Sequence, residues 1–291
     1  PSAPLLLFAH FFDAHSPWDT APDAVRAELL TAPYDGVFDG SDASMEWAIR
    51  GARSGSLTTA DRVQIRANYL AEVAYADSQL SRMLHALDER GYGADQLVVL
   101  FGDHGETLDE LPQRPYQHGF DVELVNIHVP LIFAARGRYE VPQGEVLTRP
   151  VSLRDVGPTV LGLAGIGGGL GDGDDLRAIW VDPDGWTTAS SAHFAEATKP
   201  GSKEPKQRWN NLGFARSVVH DGLMLRRAPV LGEKARLHRL APGQPHHDDA
   251  EGEARLTHKL DVWDAAAPRR RDVSLRPETR AALEALGYLA E

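Results

Sequence analysis

A long helical pattern that runs directly into a buried strand constrains the fold of this chain more than any other feature. Apolar residues recur at helical spacing at Val63, Ala67, Leu70, Val73, Leu80, Leu84 and Leu87. Thr58 or Thr59 can cap the start of this helix, and Gly91 and Gly93 can end it. At the usual rise per residue the helix would be roughly 45–50 Å long. That length is typical of a helix that flanks a large sheet.

Other segments follow in the order expected of an α/β protein. Short apolar runs predict buried strands at residues 4–12, 96–101 and 129–135. Ser152 and Asp155 can form a capping box at the start of a further helix. Helices that alternate with buried strands predict part of a doubly wound, mostly parallel sheet flanked by helices.

The sequence changes character after residue 165, where a glycine-rich acidic connector begins. Short strand-like runs then occur at residues 192–197, 215–222, 223–229 and 259–266. A helical pattern at residues 277–286 closes the chain. These patterns predict a small α+β subdomain with an antiparallel sheet and a terminal helix. We therefore assign residues 1–170 to the α/β domain and residues 171–291 to the subdomain.

Composition limits the partners of the chain. The 42 acidic residues outnumber the 30 basic ones, for a formal net charge of −12, which argues against a nucleic-acid partner. A small anionic substrate is still compatible, because a bound metal ion can reverse the sign of the field in a pocket. The absence of cysteine excludes disulfides, thiolate nucleophiles and cysteine zinc sites. The most apolar run, residues 4–12, is too short to span a membrane, so no membrane segment is predicted.

The strand at residues 96–101 ends in Gly-Asp-His-Gly, which places Asp103 and His104 between two glycines. A carboxylate and an imidazole at a strand end are suitable ligands for a divalent metal. The glycines let the backbone turn sharply, so that neighbouring side chains can converge. The same residues fit equally well a hydrogen-bonded polar turn that closes a buried strand.

Two more histidines stand next to predicted strands. Asp13 and His15 lie on one face of an extended segment after residues 4–12, as a metal pair or with His15 as an acid–base group. His118 lies in the loop before residues 129–135. Each of these histidines taken alone also fits a side chain with only local hydrogen bonds. Because ligands bind at the carboxyl ends of strands in doubly wound sheets, the three places together predict one functional centre.

Several segments share motifs that occur together in one enzyme family. Residues 69–77 match Tyr-x-x-Glu-Val-x-Tyr-x-Asp on a long helix, and residues 102–106 match the end of the next strand, Ser-Asp-His-Gly-Glu, with glycine first. The stretches FFDAHSPW, HGFDVELVNIHVPLIF and PVSLRDVGPTVLGLAG follow the same pattern in the same order. The chain thus resembles the sulfatase family, within the alkaline phosphatase superfamily. The resemblance implies that residues 1–170 are the C-terminal portion of the family's catalytic domain.

The resemblance also implies a role for each site residue. Asp103 and His104 would be ligands of a divalent metal, in the first place Ca²⁺, with Mn²⁺, Zn²⁺ and Mg²⁺ as alternatives. His15 would contact the sulfuryl or phosphoryl group or donate a proton to the leaving oxygen. His118 takes the place of a second substrate-contacting cation, which is a lysine in many sulfatases. Asp13 is expected to have only a structural or supporting role.

The activity implied by the resemblance is metal-dependent hydrolysis of a small anionic sulfate ester. In the family the nucleophile and two further aspartate ligands lie in an N-terminal half, and this sequence has no motif for them. We therefore expect a fragment or a split enzyme that needs that half and is inactive as this isolated chain.

Two other hypotheses stay open. His118 favours a phosphoryl-directed relative, namely a phosphatase, a phosphodiesterase or a phosphoethanolamine transferase. The third hypothesis is a non-catalytic binding module that keeps the fold. Localisation is left open, although family members are often exported.

Overall fold

The computed structural model describes residues 4–30, 33–111, 114–167, 171–182, 192–197, 215–228, 233–240, 249–266 and 277. They belong to two compact units. The first comprises Pro1–His118 and Val129–Gly144, and the second comprises Gly119–His128 and Glu145–Glu291. The sequence-based division at residue 170 stays a prediction.

Three helices form the helical part of the first unit. Helix α1 covers Asp23–Leu29, and α2 covers Asp42–Ser54. Helix α3, Thr59–Glu89, confirms the long helix. Thr58 caps it, because its hydroxyl accepts the backbone N–H of Asp61 at 3.1 Å while the Asp61 carboxylate accepts the N–H of Thr58 at 2.8 Å.

The buried face of α3 coincides only in part with the apolar face that its sequence suggests, since Ala67 is buried as expected. Three of the predicted core residues are 56%, 41% and 42% exposed, namely Val63, Leu70 and Val73. The buried stripe instead follows helical spacing through Asp61, Ile65, Asn68 and Glu72. This stripe is largely polar, so hydrophobic periodicity could not identify it.

Two strands of the first unit follow α3 along the chain. Strand β1, Gln96–Phe101, is confirmed, and β2, Leu131–Arg136, begins slightly later than predicted. They pair antiparallel, with Phe101 opposite Leu131. The α/β class is confirmed, and within a sheet predicted to be mostly parallel this pair is antiparallel. The chain enters β2 at the end where β1 stops, whereas a parallel pair needs a crossover back to the other end of the sheet.

The predicted strand at residues 4–12 is wrong for the structure described here. The segment has no regular secondary structure, and Leu6 and Phe8 are 88% and 79% exposed. A strand is stable only where a neighbouring strand pairs with its backbone groups. Among the described strands, none pairs with this segment.

The core of the first unit joins the helices to the loops around the candidate site. Trp18 is completely buried at its centre. The other buried members of this core are Phe38, Met45, Ala48, Leu57, Ile65, Leu108 and Tyr116. Because Leu108 and Tyr116 follow β1 in the chain, the core also includes two residues that lie between His104 and His118.

Short helices begin the second unit. Helix α4, Leu124–Ile127, lies in its first segment. A 3-10 turn at Leu153–Asp155 then leads into α5, Val156–Leu163, and α6 covers Arg177–Val181. The predicted capping box is confirmed, since Ser152 and Asp155 exchange side-chain and backbone hydrogen bonds.

An antiparallel sheet with the order β3-β4-β5-β6 dominates the second unit. Its strands are His193–Ala197, Ala215–His220, Leu223–Arg227 and Arg236–Arg239. Helix α7, Ala250–Ala266, packs on β4 and β5 and completes the α+β subdomain.

One strand prediction in this subdomain is wrong. Residues 259–266 belong to α7, in which Leu256 and Leu260 are fully buried one helical turn apart. The terminal helix predicted at residues 277–286 lies outside the described residues, apart from residue 277. None of the helices in the described ranges is both long and apolar enough to cross a membrane.

Candidate active site

The end of β1 exposes the two predicted metal ligands. The side chains of Asp103 and His104 are 63% and 40% exposed, and His104 Nε2 lies 3.8 Å from the Asp103 carboxylate. His104 Nδ1 lies 3.0 Å from the carbonyl oxygen of Gly105. Since a carbonyl only accepts hydrogen bonds, Nδ1 carries the proton of the neutral ring. Nε2 therefore keeps its lone pair for a ligand.

Three imidazoles gather at this strand end. His104 stacks on His118 with ring centroids 4.3 Å apart and ring planes 22° apart. His15 meets the edge of His118 at 4.6 Å and lies 6.4 Å from His104. Three histidines from separate segments of the first unit thus lie in one cluster.

The loop that carries His15 is anchored on α3 through Glu72. Glu72 is 1% exposed, and its Oε1 accepts the backbone N–H groups of Thr20 and Ala21, both at 2.9 Å. The Thr20 hydroxyl contacts the other Glu72 oxygen and also lies 2.7 Å from Asp13 Oδ1. Asp13 is therefore bonded within the loop, on the same hydroxyl that Glu72 contacts.

The His15 ring is held by the backbone next to it. Its Nδ1 donates to the carbonyl oxygen of Ser16, so Nε2 is the nitrogen left for a ligand. Burial lowers the pKa of His15, and the charges of His118 and His104 lower it further. The Ser16 carbonyl and the Glu106 charge oppose this effect only in part.

His118 has a buried carboxylate as its partner. Its Nδ1 lies 2.8 Å from Oε2 of Glu106, and the two side chains are 23% and 6% exposed. Burial lowers the pKa of His118, but the hydrogen bond and charge of Glu106, together with the charge of Asp103, outweigh burial and raise it overall. His15 and His118 thus have pKa values displaced in opposite directions.

Thr107 closes the loop between Glu106 and His118. Its side chain is 1% exposed, and its hydroxyl lies 2.7 Å from the carbonyl oxygens of both Arg114 and Gln117. The backbone N–H of Gln117 in turn donates to this hydroxyl at 2.9 Å. These bonds fix the chain on either side of the Glu106–His118 pair.

Sequence reasoning did not assign a role to Glu106, Glu72 or Thr107. Glu106 and Glu72 stand inside the quoted motifs, but a motif does not show that Glu106 is the hydrogen-bond partner of His118 or that Glu72 binds the backbone of Thr20 and Ala21. Polar residues at helical spacing were a usable signal for Glu72, because Asp61, Asn68 and Glu72 lie on one face of α3.

The described part of the chain thus combines an α/β fold with three histidines and an aspartate gathered at the end of a strand. The family model described as Sulfatase matches residues 1–166, and the chain belongs to this family. Among curated relatives, iduronate 2-sulfatase of Homo sapiens is 39% identical over 75 residues. Arylsulfatase K of Danio rerio is 38% identical over 114 residues. The solved structure of a phosphonate monoester hydrolase from Silicibacter pomeroyi is similar in fold, with a TM-score of 0.56 at 20% identity.

These matches cover only part of each known protein. The aligned residues are 26% of this chain and 13% of the human iduronate 2-sulfatase, and 39% of this chain and 20% of the Danio rerio arylsulfatase K. The structural match covers 91% of this chain and 57% of the phosphonate monoester hydrolase. The chain therefore spans little more than half the length of that structural neighbour.

The donors at the end of β1 fit one side of a metal site. Asp103 offers an exposed carboxylate, and His104 offers an Nε2 with a free lone pair, both of which suit a divalent cation. In the described ranges, no group of three or more His, Cys, Asp or Glu side chains could hold a metal ion. A Ca²⁺ ion takes roughly 6–8 oxygen ligands, so Asp103 fits it as one of a larger set, whereas the nitrogen of His104 is a more usual ligand of Zn²⁺ or another transition metal.

Proposed function

We propose that this chain forms part of the active site of a metal-dependent hydrolase of small anionic sulfate esters. One observation carries the proposal: His15, His104 and His118 converge next to Asp103 in a chain of the sulfatase family. The acidic composition agrees with a small-molecule substrate and not with nucleic acid.

Asp103 and His104 would hold the metal, in the first place Ca²⁺, with Mn²⁺, Zn²⁺ or Mg²⁺ as alternatives. When bound, such a metal stabilises negative charge on the ester oxygens. The two donors are too few for a tight site, so further ligands and the attacking group would come from outside these 291 residues. The isolated chain then binds metal weakly and does not turn over esters.

His15 and His118 would act on the ester itself. The Nδ1 of His15 is engaged by the Ser16 carbonyl, and the Nδ1 of His118 by Glu106. Each ring therefore directs Nε2 to a ligand, as a hydrogen-bond partner of a sulfuryl oxygen or as a proton donor to the leaving oxygen. Both rings are partly withdrawn from water, which strengthens such bonds.

The metal proposal is tested by titrating the full chain with Ca²⁺, Mn²⁺ and Zn²⁺ in a calorimeter. We expect a dissociation constant on the order of 1 mM or weaker for the preferred ion. Asp103→Asn and His104→Ala should abolish binding yet change the free energy of unfolding by only about 0.5 kcal/mol or less, because both side chains are exposed. Asp77→Asn and His85→Ala on exposed positions of α3 are matched controls. Unchanged metal binding in Asp103→Asn would refute the ligand assignment.

Turnover and ester preference are tested with 4-nitrophenyl sulfate and 4-nitrophenyl phosphate. No hydrolysis of either is expected from the isolated chain, and robust hydrolysis would contradict the need for outside residues. His118 favours phosphoryl-directed chemistry as the second candidate. Tighter binding of inorganic phosphate than of inorganic sulfate, measured by the same calorimetry, would support that candidate.

A further inference from the structure

Glu106 is a buried acid that is neither one of the proposed metal ligands nor one of the groups proposed to contact the ester. Its side chain is 6% exposed, and its Oε2 lies 2.8 Å from Nδ1 of His118. Its other oxygen, Oε1, is buried and has no hydrogen-bond partner in the described part of the chain. Burying a carboxylate is costly unless a partner compensates it, and His118 is the partner that the structure provides for Oε2.

The bond to Glu106 fixes which nitrogen of His118 carries a proton. Carboxylate oxygens accept hydrogen bonds, so Nδ1 must be the donor. The proton on one ring nitrogen then determines what the other nitrogen can offer. Nε2 is consequently the atom left to meet a ligand.

The ring plane of His118 is fixed as well as its proton. One face stacks on His104 at 4.3 Å, and the edge of His15 lies 4.6 Å away. Thr107, next to Glu106 in the chain, bonds the backbone carbonyl of Gln117, next to His118. Both ends of the Glu106–His118 bond are therefore anchored by the same loop.

We propose that Glu106 is a positioning residue, which holds His118 with Nδ1–H directed to its carboxylate and so presents Nε2 to the ester. The identity of the ligand rests on the proposed function, whereas the orientation of the ring does not. Carboxylate partners of this kind are known to orient metal-binding histidines, where their loss commonly reduces metal affinity or activity by about 10- to 100-fold.

The orientation can be measured in the full chain without metal or substrate. The chain is labelled with ¹⁵N-histidine, treated with a chelator and recorded at a pH above which the His118 signals no longer change, so that this ring is neutral. Two-bond ¹H–¹⁵N correlation spectra then show which nitrogen of His118 carries the proton. In the wild type we expect Nδ1, and a proton on Nε2 would overturn the proposal.

Two substitutions separate positioning from folding. Glu106→Leu removes the acceptor, so most His118 rings should change to Nε2–H, whereas Glu106→Gln keeps an oxygen and should give a mixture. If Glu106→Leu does not fold, the comparison of Glu106→Gln with the wild type decides the question. The same Nδ1–H population in all folded forms would refute the role of Glu106.

The chain contains a matched control for this measurement. His85 and Glu89 form an exposed pair on α3, with Nε2 and Oε1 3.5 Å apart and side chains 76% and 64% exposed. Glu89→Leu should leave the proton distribution of His85 nearly unchanged, because water replaces the lost acceptor. This readout is independent of metal binding and turnover, so failure of the proposed function and failure of the Glu106 proposal give different results.

Discussion

Two clusters of charged and titratable side chains in this chain differ in how completely their polar atoms are paired. In the second unit, Arg226 is 1% exposed and donates from Nε and Nη2 to the two carboxylate oxygens of Asp121, both at 2.6 Å. Its Nη1 donates to Glu233 at 2.7 Å, and Glu123 lies 3.2 Å from Nε. We call this the closed cluster, since every nitrogen of the guanidinium has a carboxylate partner.

The cluster of Asp103, His104, Glu106 and His118 in the first unit is open by comparison. Oε1 of Glu106 has no hydrogen-bond partner in the described ranges, and Asp103 and His104 face solvent. A group used only for folding is normally satisfied when it is buried. Unsatisfied and exposed donors gathered at a strand end are instead what a ligand requires. The two clusters thus both contain buried charge, but only the one proposed to be functional combines an unsatisfied buried oxygen with exposed ligand atoms of Asp103 and His104.

Substitution of Arg226 should have the largest effect of all these changes, and that effect should be a loss of stability only. In Arg226→Met, three carboxylates lose their buried cation, and we expect the free energy of unfolding to drop by about 3–5 kcal/mol. Urea unfolding followed by circular dichroism measures this change. A loss below about 1 kcal/mol would show that the cluster is not closed in solution.

Arg136→Met is the matched control for Arg226. Arg136 pairs with Asp88 at 3.1 Å, but the two side chains are 64% and 39% exposed. An exposed pair contributes only about 0–1 kcal/mol, so this variant should unfold close to the wild type. If both variants lose the same free energy of unfolding, burial of the Arg226 cluster does not explain the effect of Arg226→Met.

Glu72 should give an intermediate effect that connects stability to the site. Glu72→Leu leaves the N–H groups of Thr20 and Ala21 without their acceptor; only the Ala21 bond is fully buried, so we expect a loss of about 1–3 kcal/mol in the free energy of unfolding. Because the anchored loop carries His15, the ring signals of His15 in NMR spectra should also shift. Glu89→Leu, at an exposed position of the same helix, should change neither quantity. A stable Glu72→Leu variant with unchanged His15 signals would contradict the anchoring role.

The parts of this molecule that follow from local chemistry could be predicted from the sequence. The caps of α3 and of the 3-10 turn at Leu153–Asp155 depend on residues three apart, and the prediction of both was confirmed. The same holds for the bounds of β1, where an apolar run ends at a glycine. Asp103 and His104 were identifiable as candidates because they follow that strand directly.

The parts that depend on distant partners could not be predicted in this way. The pair of Arg226 and Asp121 joins residues 105 positions apart, and nothing local to either indicates the other. The antiparallel pairing of β1 with β2 depends on where the connection returns, which apolar runs do not encode. The polar stripe of α3 is buried because Tyr34, Thr20 and Ala21 satisfy its carboxylates, and hydrophobic periodicity cannot detect such bonds.

The smallest expected effect lies within the histidine cluster and concerns its pH dependence. In the chelator-treated chain, NMR titration should give His118 a pKa above the ordinary value of 6.5 and His15 a pKa below it. For His118, burial is outweighed by Glu106 and Asp103; for His15, burial acts together with the charges of His118 and His104. Glu106→Gln should therefore lower the pKa of His118. Titration of both rings on the same side of 6.5 would contradict this difference.

The raised pKa of His118 and the lowered pKa of His15 make the free energy of unfolding depend on pH in opposite directions. His118 has a raised pKa, so its stabilising contribution is complete below about pH 6.5 and is lost as pH rises through its folded-state pKa. His15 has a lowered pKa, so its contribution is complete above about pH 6.5 and is lost as pH falls through its folded-state pKa. The free energy of unfolding should thus vary less around pH 6.5 in the wild type than in His15→Gln, which retains only the His118 term. If the free energy of unfolding instead depends more steeply on pH in the wild type than in His15→Gln, the two rings do not have opposite effects on stability.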